Sequence, residues 1–340
     1  MTASLRRVGI KLAQYAVGLA ALAWALGRVE WGRAAALFGE VSPGVIAALV
    51  VVSGLGLLGR FLMWHALLGH VRPTRFRTAA SATLVVSFVN LLLPSRFSGR
   101  AAAPFVLRTE ANVAYPEAVA IAGVHTGLYA LVYGLVALTG LALAVGALPA
   151  GLALALALST VLYFLAGALV LLAGFNLGVV ERAAALLEGV LRRVPAAGER
   201  LAGLAGALPA FTAESAGTFR GLSSAPGVLA GYAAGWCGAL LLAPGLRVWL
   251  LFDALGTGFE PALFLPLYLV AAYSVTLLPL TPGGIGVTEA SATAVFVALG
   301  VPAAVVVPVV FVDRFLGVYL PALAGWYPSL RIDLSGLAAE

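Results

Sequence analysis

The chain has 340 residues, 62% of them hydrophobic and 10% charged, with a mean hydropathy of +1.05. Soluble domains are about 45–50% apolar, and apolar runs of about 20 residues recur along this sequence, so a soluble protein is excluded and a polytopic α-helical membrane protein is expected. The net charge of +6 rests on arginines placed beside apolar runs, with Lys11 the only lysine; that placement fits the positive-inside rule and anionic lipid headgroups, not nucleic acid.

In chain order, Arg6 and Arg7 precede an apolar run of about 8–26 without a convincing small-residue cleavage site, which reads as an uncleaved first span. A second span is expected from about Pro43 to Leu68, followed by the basic loop "HVRPTRFR". The next helix breaks at Pro94 in "NLLLPSRFSGR" (90–100). Two long spans, about Glu117–Ala147 and Pro149–Val180, are joined by "GALPAG", a turn short enough only for a hairpin. Residues 181–224 form the one long polar region. Leu186, Leu187, Val190 and Val194 recur there at helical spacing among charged residues, as in an amphipathic helix lying on the membrane surface. A span from about Pro226 to Leu251 follows, then an apolar run from about Pro261 that ends in "LLPLTPGGIGVTEA" (277–290). A short helix of about 288–299 and a last helix of about 302–326 complete the chain. The whole is one transmembrane domain: a first half of about 1–180, a linker of about 181–224 and a second half of about 225–328. Cys237 is the only cysteine, so no intramolecular disulfide forms.

Charge counting orders these spans. With the N-terminus cytoplasmic, and with 79–104 and 261–299 each entering and leaving on one side, 13 basic residues fall on cytoplasmic segments and two, Arg28 and Arg33, outside. A single crossing by 79–104 would move the five arginines of 181–224 outside, so the Pro94 region should be a hairpin or re-entrant pair. The expected fold is therefore all-α, with two broken, re-entrant helix hairpins. Both breaks follow Leu-Leu-Pro and are entered from opposite sides, the pattern of an inverted repeat.

The second break has a chemical use. Pro282 pushes Thr281 out of helical geometry, while Gly283 and Gly284 let backbone approach a ligand. A helix starting near Thr288, with Glu289 in its first turn, points free N–H groups at the break, which suits an anion. A packing kink with Glu289 as a cap is the plainer alternative. Arg60, Arg96, Arg100, Arg247, Glu289, Asp313 and Arg314 lie in or beside apolar segments. Charges at that depth pair, face a cavity or snorkel. Five arginines against two carboxylates favour a cationic cavity that accepts a phosphate. The candidate ligand-binding residues are Asn90, Arg96, Arg100, Thr281, Gly283, Gly284, Glu289 and Arg314. Asp313 and Arg314 are adjacent and could form an ion pair; Arg60 and Arg247 read as lying near span ends. His125, near Tyr129 and Tyr133, reads as a core histidine or a proton relay. No metal-ligand spacing, nucleophile elbow or nucleotide-binding motif is present, so neither catalysis nor a metal or other cofactor is expected.

Asn90, "PSRFSGR" (94–100), "TPGGIGVTE" (281–289), "GVP" (300–302) and Arg314 together resemble the lysylphosphatidylglycerol synthase transmembrane region, a flippase-like integral membrane family. The likeness runs over nearly the whole chain. It departs where the family carries an acidic residue after the glycine of the first motif, since Arg100 stands there and makes that site more cationic. The resemblance implies movement of an anionic phospholipid or lipid-linked headgroup between leaflets of the cell membrane. With fourteen residues after Trp326, no soluble transferase domain is expected. An accessory subunit for a partner glycosyltransferase, or an embedded enzyme acting on a lipid phosphate, are the other roles the sequence admits.

Overall fold

The computed structural model describes residues 41–92, 96–144, 146, 148–175, 216–257 and 287–331, with Gly32, Ala36 and Gly39. Among these residues there is helix and no strand. Among the described residues, four helices are long and apolar enough to cross a membrane: Pro43–Val71, Tyr115–Leu143, Pro226–Ala254 and Val305–Ser329. The expected first span, the amphipathic helix after Glu181 and the Thr281–Gly284 break lie outside the described residues.

Helix α1 (Pro43–Val71) starts where expected. Ser42 caps it by accepting a hydrogen bond from Val45 N–H, and Pro43 occupies the first turn, where a missing N–H costs nothing. Helices α2 (Phe76–Leu92) and α3 (Arg96–Ala111) are the two arms of the Pro94 break and pack against each other. Arg72 Nη1, just before α2, donates to the carbonyl of Asn112, just after α3, at 2.5 Å. The segment therefore enters and leaves at one end of the bundle, as the charge count requires. Asn112 makes the turn in the left-handed region (φ 51°), which asparagine tolerates better than most residues. Glu117 then accepts from Ala114 N–H at 2.9 Å and secures the start of α4 (Tyr115–Ala144). α4 pairs with α5 (Ala150–Phe175) as the predicted hairpin. The helical segment 216–224 sits at the same end as the Arg72–Asn112 contact, with Gly221 beside His70 and Phe219 against Gly123 of α4. Three of the basic segments assigned to one side of the membrane thus share one end of the fold.

α6 (Pro226–Ala254) crosses α1 in backbone contact. A Cβ on Gly235 would lie 2.6 Å from the Gly59 carbonyl oxygen, so only glycine allows this approach. α7 (Val287–Ala298) follows the second break, and Gly300 (φ 88°) turns the chain into α8, which runs over 303–324. Both α6 and α8 widen into a π-helical turn, Cys237–Leu242 and Phe315–Tyr319, just ahead of Pro244 and Pro321. A proline ring clashes with the carbonyl four residues earlier and offers no N–H, and a wider turn relieves both problems.

Candidate functional site

Two polar regions occupy the core. The first is a set of ion pairs around α8. The Arg247 guanidinium on α6 grips Asp313 Oδ1 through Nε at 2.7 Å and Nη2 at 2.6 Å, with both side chains about 95% buried. Arg314 Nε reaches Glu289 Oε1 on α7 at 3.0 Å, with Arg314 2% exposed and Glu289 18%. The Tyr319 hydroxyl donates to the same Glu289 oxygen, and the guanidinium of Arg314 lies 5.6 Å from the Tyr319 ring centre. Asp313 and Arg314 thus each reach a partner on a different helix. Successive helix residues point about 100° apart, so Asp313 looks to α6 and Arg314 to α7. Nor is Arg247 at a membrane surface: it is buried, with its guanidinium packed on Gly317, where a Cβ would collide with it.

The second region is a cavity of about 130 Å³ between α1, α2, α3, α4, α6 and α8. Arg60 lines it from the middle of α1, not from a span end as its sequence position suggested. Thr83, Ser87 and Asn90 line it from α2, spaced i, i+4 and i+7 and so on one face of that helix. The hydroxyls of Thr83 and Ser87 donate backward to the carbonyls of Ala79 and Thr83, at 2.6 and 2.7 Å, which leaves their lone pairs as acceptors. Asn90 Oδ1 is buried with no hydrogen-bond partner among the described residues. Leaving such a group unmet costs about 1–3 kcal/mol, so its retention calls for a compensating use.

His125 faces this cavity from α4, stacked on Trp64 with ring centres 4.2 Å apart. The Tyr232 hydroxyl lies 3.2 Å from His125 Nδ1 and donates to the His125 carbonyl at 2.9 Å. The histidine is thus fixed in place at a cavity wall. No carboxylate lines the cavity among the described residues. Arg60 also borders a small recess lined by Ser53, Arg247 and Gly317. The two regions adjoin: Leu91 and Val318 line the cavity, and Leu91 belongs to the same small apolar cluster as Tyr319, the partner of Glu289.

Of the residues singled out in the sequence, Asn90 lies in the cavity, and Glu289 and Arg314 form the ion pair beside it. Arg96 and Arg100 are on the first turns of α3, with their side chains outside the described residues; Thr281, Gly283 and Gly284 lie outside them altogether. The cavity positions of Thr83 and Ser87 were missed, although the α2 stripe was readable as polar residues at helical spacing in an apolar run; Arg60 was singled out as a buried charge but read as lying near a span end. Among the described residues, no group of histidine, cysteine or acidic side chains could hold a metal.

This architecture, an all-helical bundle with an arginine-lined polar interior, defines a multi-pass membrane protein. The family model of the lysylphosphatidylglycerol synthase TM region matches residues 11–325, and the chain belongs to that family. It is also similar to UPF0104 membrane protein PH1989 of Pyrococcus horikoshii, 37% identical over 82 residues. That alignment spans 24% of this chain and 24% of the relative. No solved structure matches the chain.

Proposed function

We propose that the protein moves an anionic phospholipid or lipid-linked headgroup between the leaflets of the cell membrane, with its N-terminus in the cytoplasm and without catalysing a covalent change. The observation that supports this most is the cavity. Polar groups inside membrane-crossing helices are costly and are kept where they face a ligand or water, and here Arg60, Asn90 and His125 converge on one such space. The Arg314–Glu289–Tyr319 cluster ties α7 to α8, which contributes Val318 to the wall of that space. Membership of the family supports the same direction. The broken segments, with Arg96, Arg100 and the Thr281–Gly284 turn, would supply the entry route for the headgroup.

The test uses purified protein in liposomes that carry headgroup-labelled anionic or zwitterionic lipids, with dithionite quenching as the readout. Exchange should favour anionic lipids and fall at least tenfold in Arg96→Ala and Glu289→Gln. Normal exchange in both variants would contradict the assignment. Absence of exchange for every lipid by folded wild-type protein would favour an accessory role beside a soluble transferase.

A further inference from the structure

We propose that the small recess between α1, α6 and α8 is a binding site for one water molecule, which bridges two backbone carbonyls that proline deprives of their helical donors. The hydrogen-bond count is the same in both helices. In α6, Ala243 N–H turns to the Gly238 carbonyl, five residues back. The Ala239 carbonyl therefore loses the donor four residues on, and the residue five on is Pro244, which has no N–H. In α8, Leu320 N–H turns to the Phe315 carbonyl in the same way. The Leu316 carbonyl is then left facing Pro321. Neither an α turn nor a π turn offers these oxygens another donor within the helix. Ala239, Leu316 and Pro321 nevertheless line one and the same recess. Buried carbonyls are nearly always paired, and ordered water is one of the partners they use.

The rest of the lining identifies the ligand. The recess measures about 10 Å³, close to the least that admits one water and too little for any organic group. Ser53 gives its proton to the Leu49 carbonyl at 2.6 Å, so its oxygen adds an acceptor from α1. Arg247 stays paired with Asp313 through Nε and Nη2, and its third nitrogen, Nη1, borders the same space. A Cβ on Gly56 would stand 3.8 Å from Nη1 and 3.9 Å from the Ala239 oxygen, and one on Gly317 would stand 3.7 Å from Nη1. Glycine at both positions thus keeps room between the donor and the acceptors. Acceptors alone would also suit a metal cation. A guanidinium N–H needs an acceptor, however, and a cation offers none. Water donates to the two carbonyls and accepts from Nη1. Bound there, it ties the π turns of α6 and α8 together. The site stands without leaflet exchange and without any contribution from Arg60, which also borders the recess.

The direct test is an experimental map of the full chain in a lipid nanodisc, at a resolution that shows ordered water. One peak is expected within hydrogen-bond distance of both the Ala239 and the Leu316 oxygens. Absence of a peak, or a peak ringed by oxygens at ion-coordination distances, would overturn the inference, and this arm needs no variant to fold. A second arm reads the bridge by thermal unfolding in detergent. Pro244→Ala and Pro321→Ala each return an N–H to the helix, so each draws one carbonyl away from the shared water. Two groups that share a partner are coupled, and the midpoint of the double variant should differ from the sum of the two single shifts. Pro244→Ala combined with Pro308→Ala, a proline of α8 that does not line the recess, should be additive. Additive shifts for Pro244→Ala with Pro321→Ala, or equal coupling in the Pro308 control, would overturn the bridge. A peak in protein that exchanges no lipid would uphold the water site and count against translocation; exchange by protein that lacks the peak would do the reverse.

Discussion

The ion pairs around α8 and the central cavity are neighbours made of the same residue types, yet they are finished differently. Around α8 each arginine meets a carboxylate at hydrogen-bond distance, Arg247 with Asp313 and Arg314 with Glu289. In the cavity the carboxylates are missing among the described residues and an amide oxygen is left without a partner. Matched charges lock helices together. A buried acceptor left unmet, as Asn90 Oδ1 is, weakens the fold slightly and gains its value when something else completes it. On the proposed reading, the difference separates polarity that holds the bundle together from polarity that meets a ligand.

Substitutions in the two regions should therefore shift stability in opposite directions. The largest loss is expected from Asp313→Asn, which leaves the buried Arg247 cation uncompensated. About 3–5 kcal/mol should disappear from unfolding in detergent, and Arg247→Met combined with Asp313→Leu should restore most of it. Gly235→Ala comes next, because its Cβ would press on the Gly59 carbonyl from 2.6 Å; a cost of about 1–3 kcal/mol is expected, read as a lower unfolding midpoint. Tyr319→Phe removes a single hydrogen bond to Glu289 and should cost about 1 kcal/mol. At the other end, Asn90→Leu should leave stability unchanged or raise it by up to about 1 kcal/mol while ligand binding falls. A clear loss of stability in Asn90→Leu would erase the distinction between the regions.

Much of this arrangement was legible before any coordinates. Pro43 and Pro226 mark helix starts because proline fits a first turn, and α1 and α6 begin there. The hairpin at Pro94 followed from where arginines fall, and the Arg72–Asn112 contact places its two ends together. Side-chain partners were less accessible. Asp313 and Arg314 looked like a pair because they are neighbours in sequence, and helical rotation sends them to different helices. Arg60 seemed close to a span end because the extent of α1 was underestimated at Val71 and nothing in the local sequence reveals a cavity that several other helices enclose. Asn90 was found because it stands out beside a proline. Thr83 and Ser87 on the same face passed unnoticed because hydroxyls are common in membrane helices and satisfy themselves on the backbone.

The most direct test fills the cavity without touching any charge. Ala122 is a small, buried residue on the cavity wall, and Ala122→Phe would place a ring in that space. In liposomes with a headgroup-labelled anionic lipid, the account predicts leaflet exchange by the wild type and its near-complete loss in Ala122→Phe, with the variant still folded by its unfolding curve. Exchange at the wild-type rate in folded Ala122→Phe would show that the headgroup does not pass through this cavity.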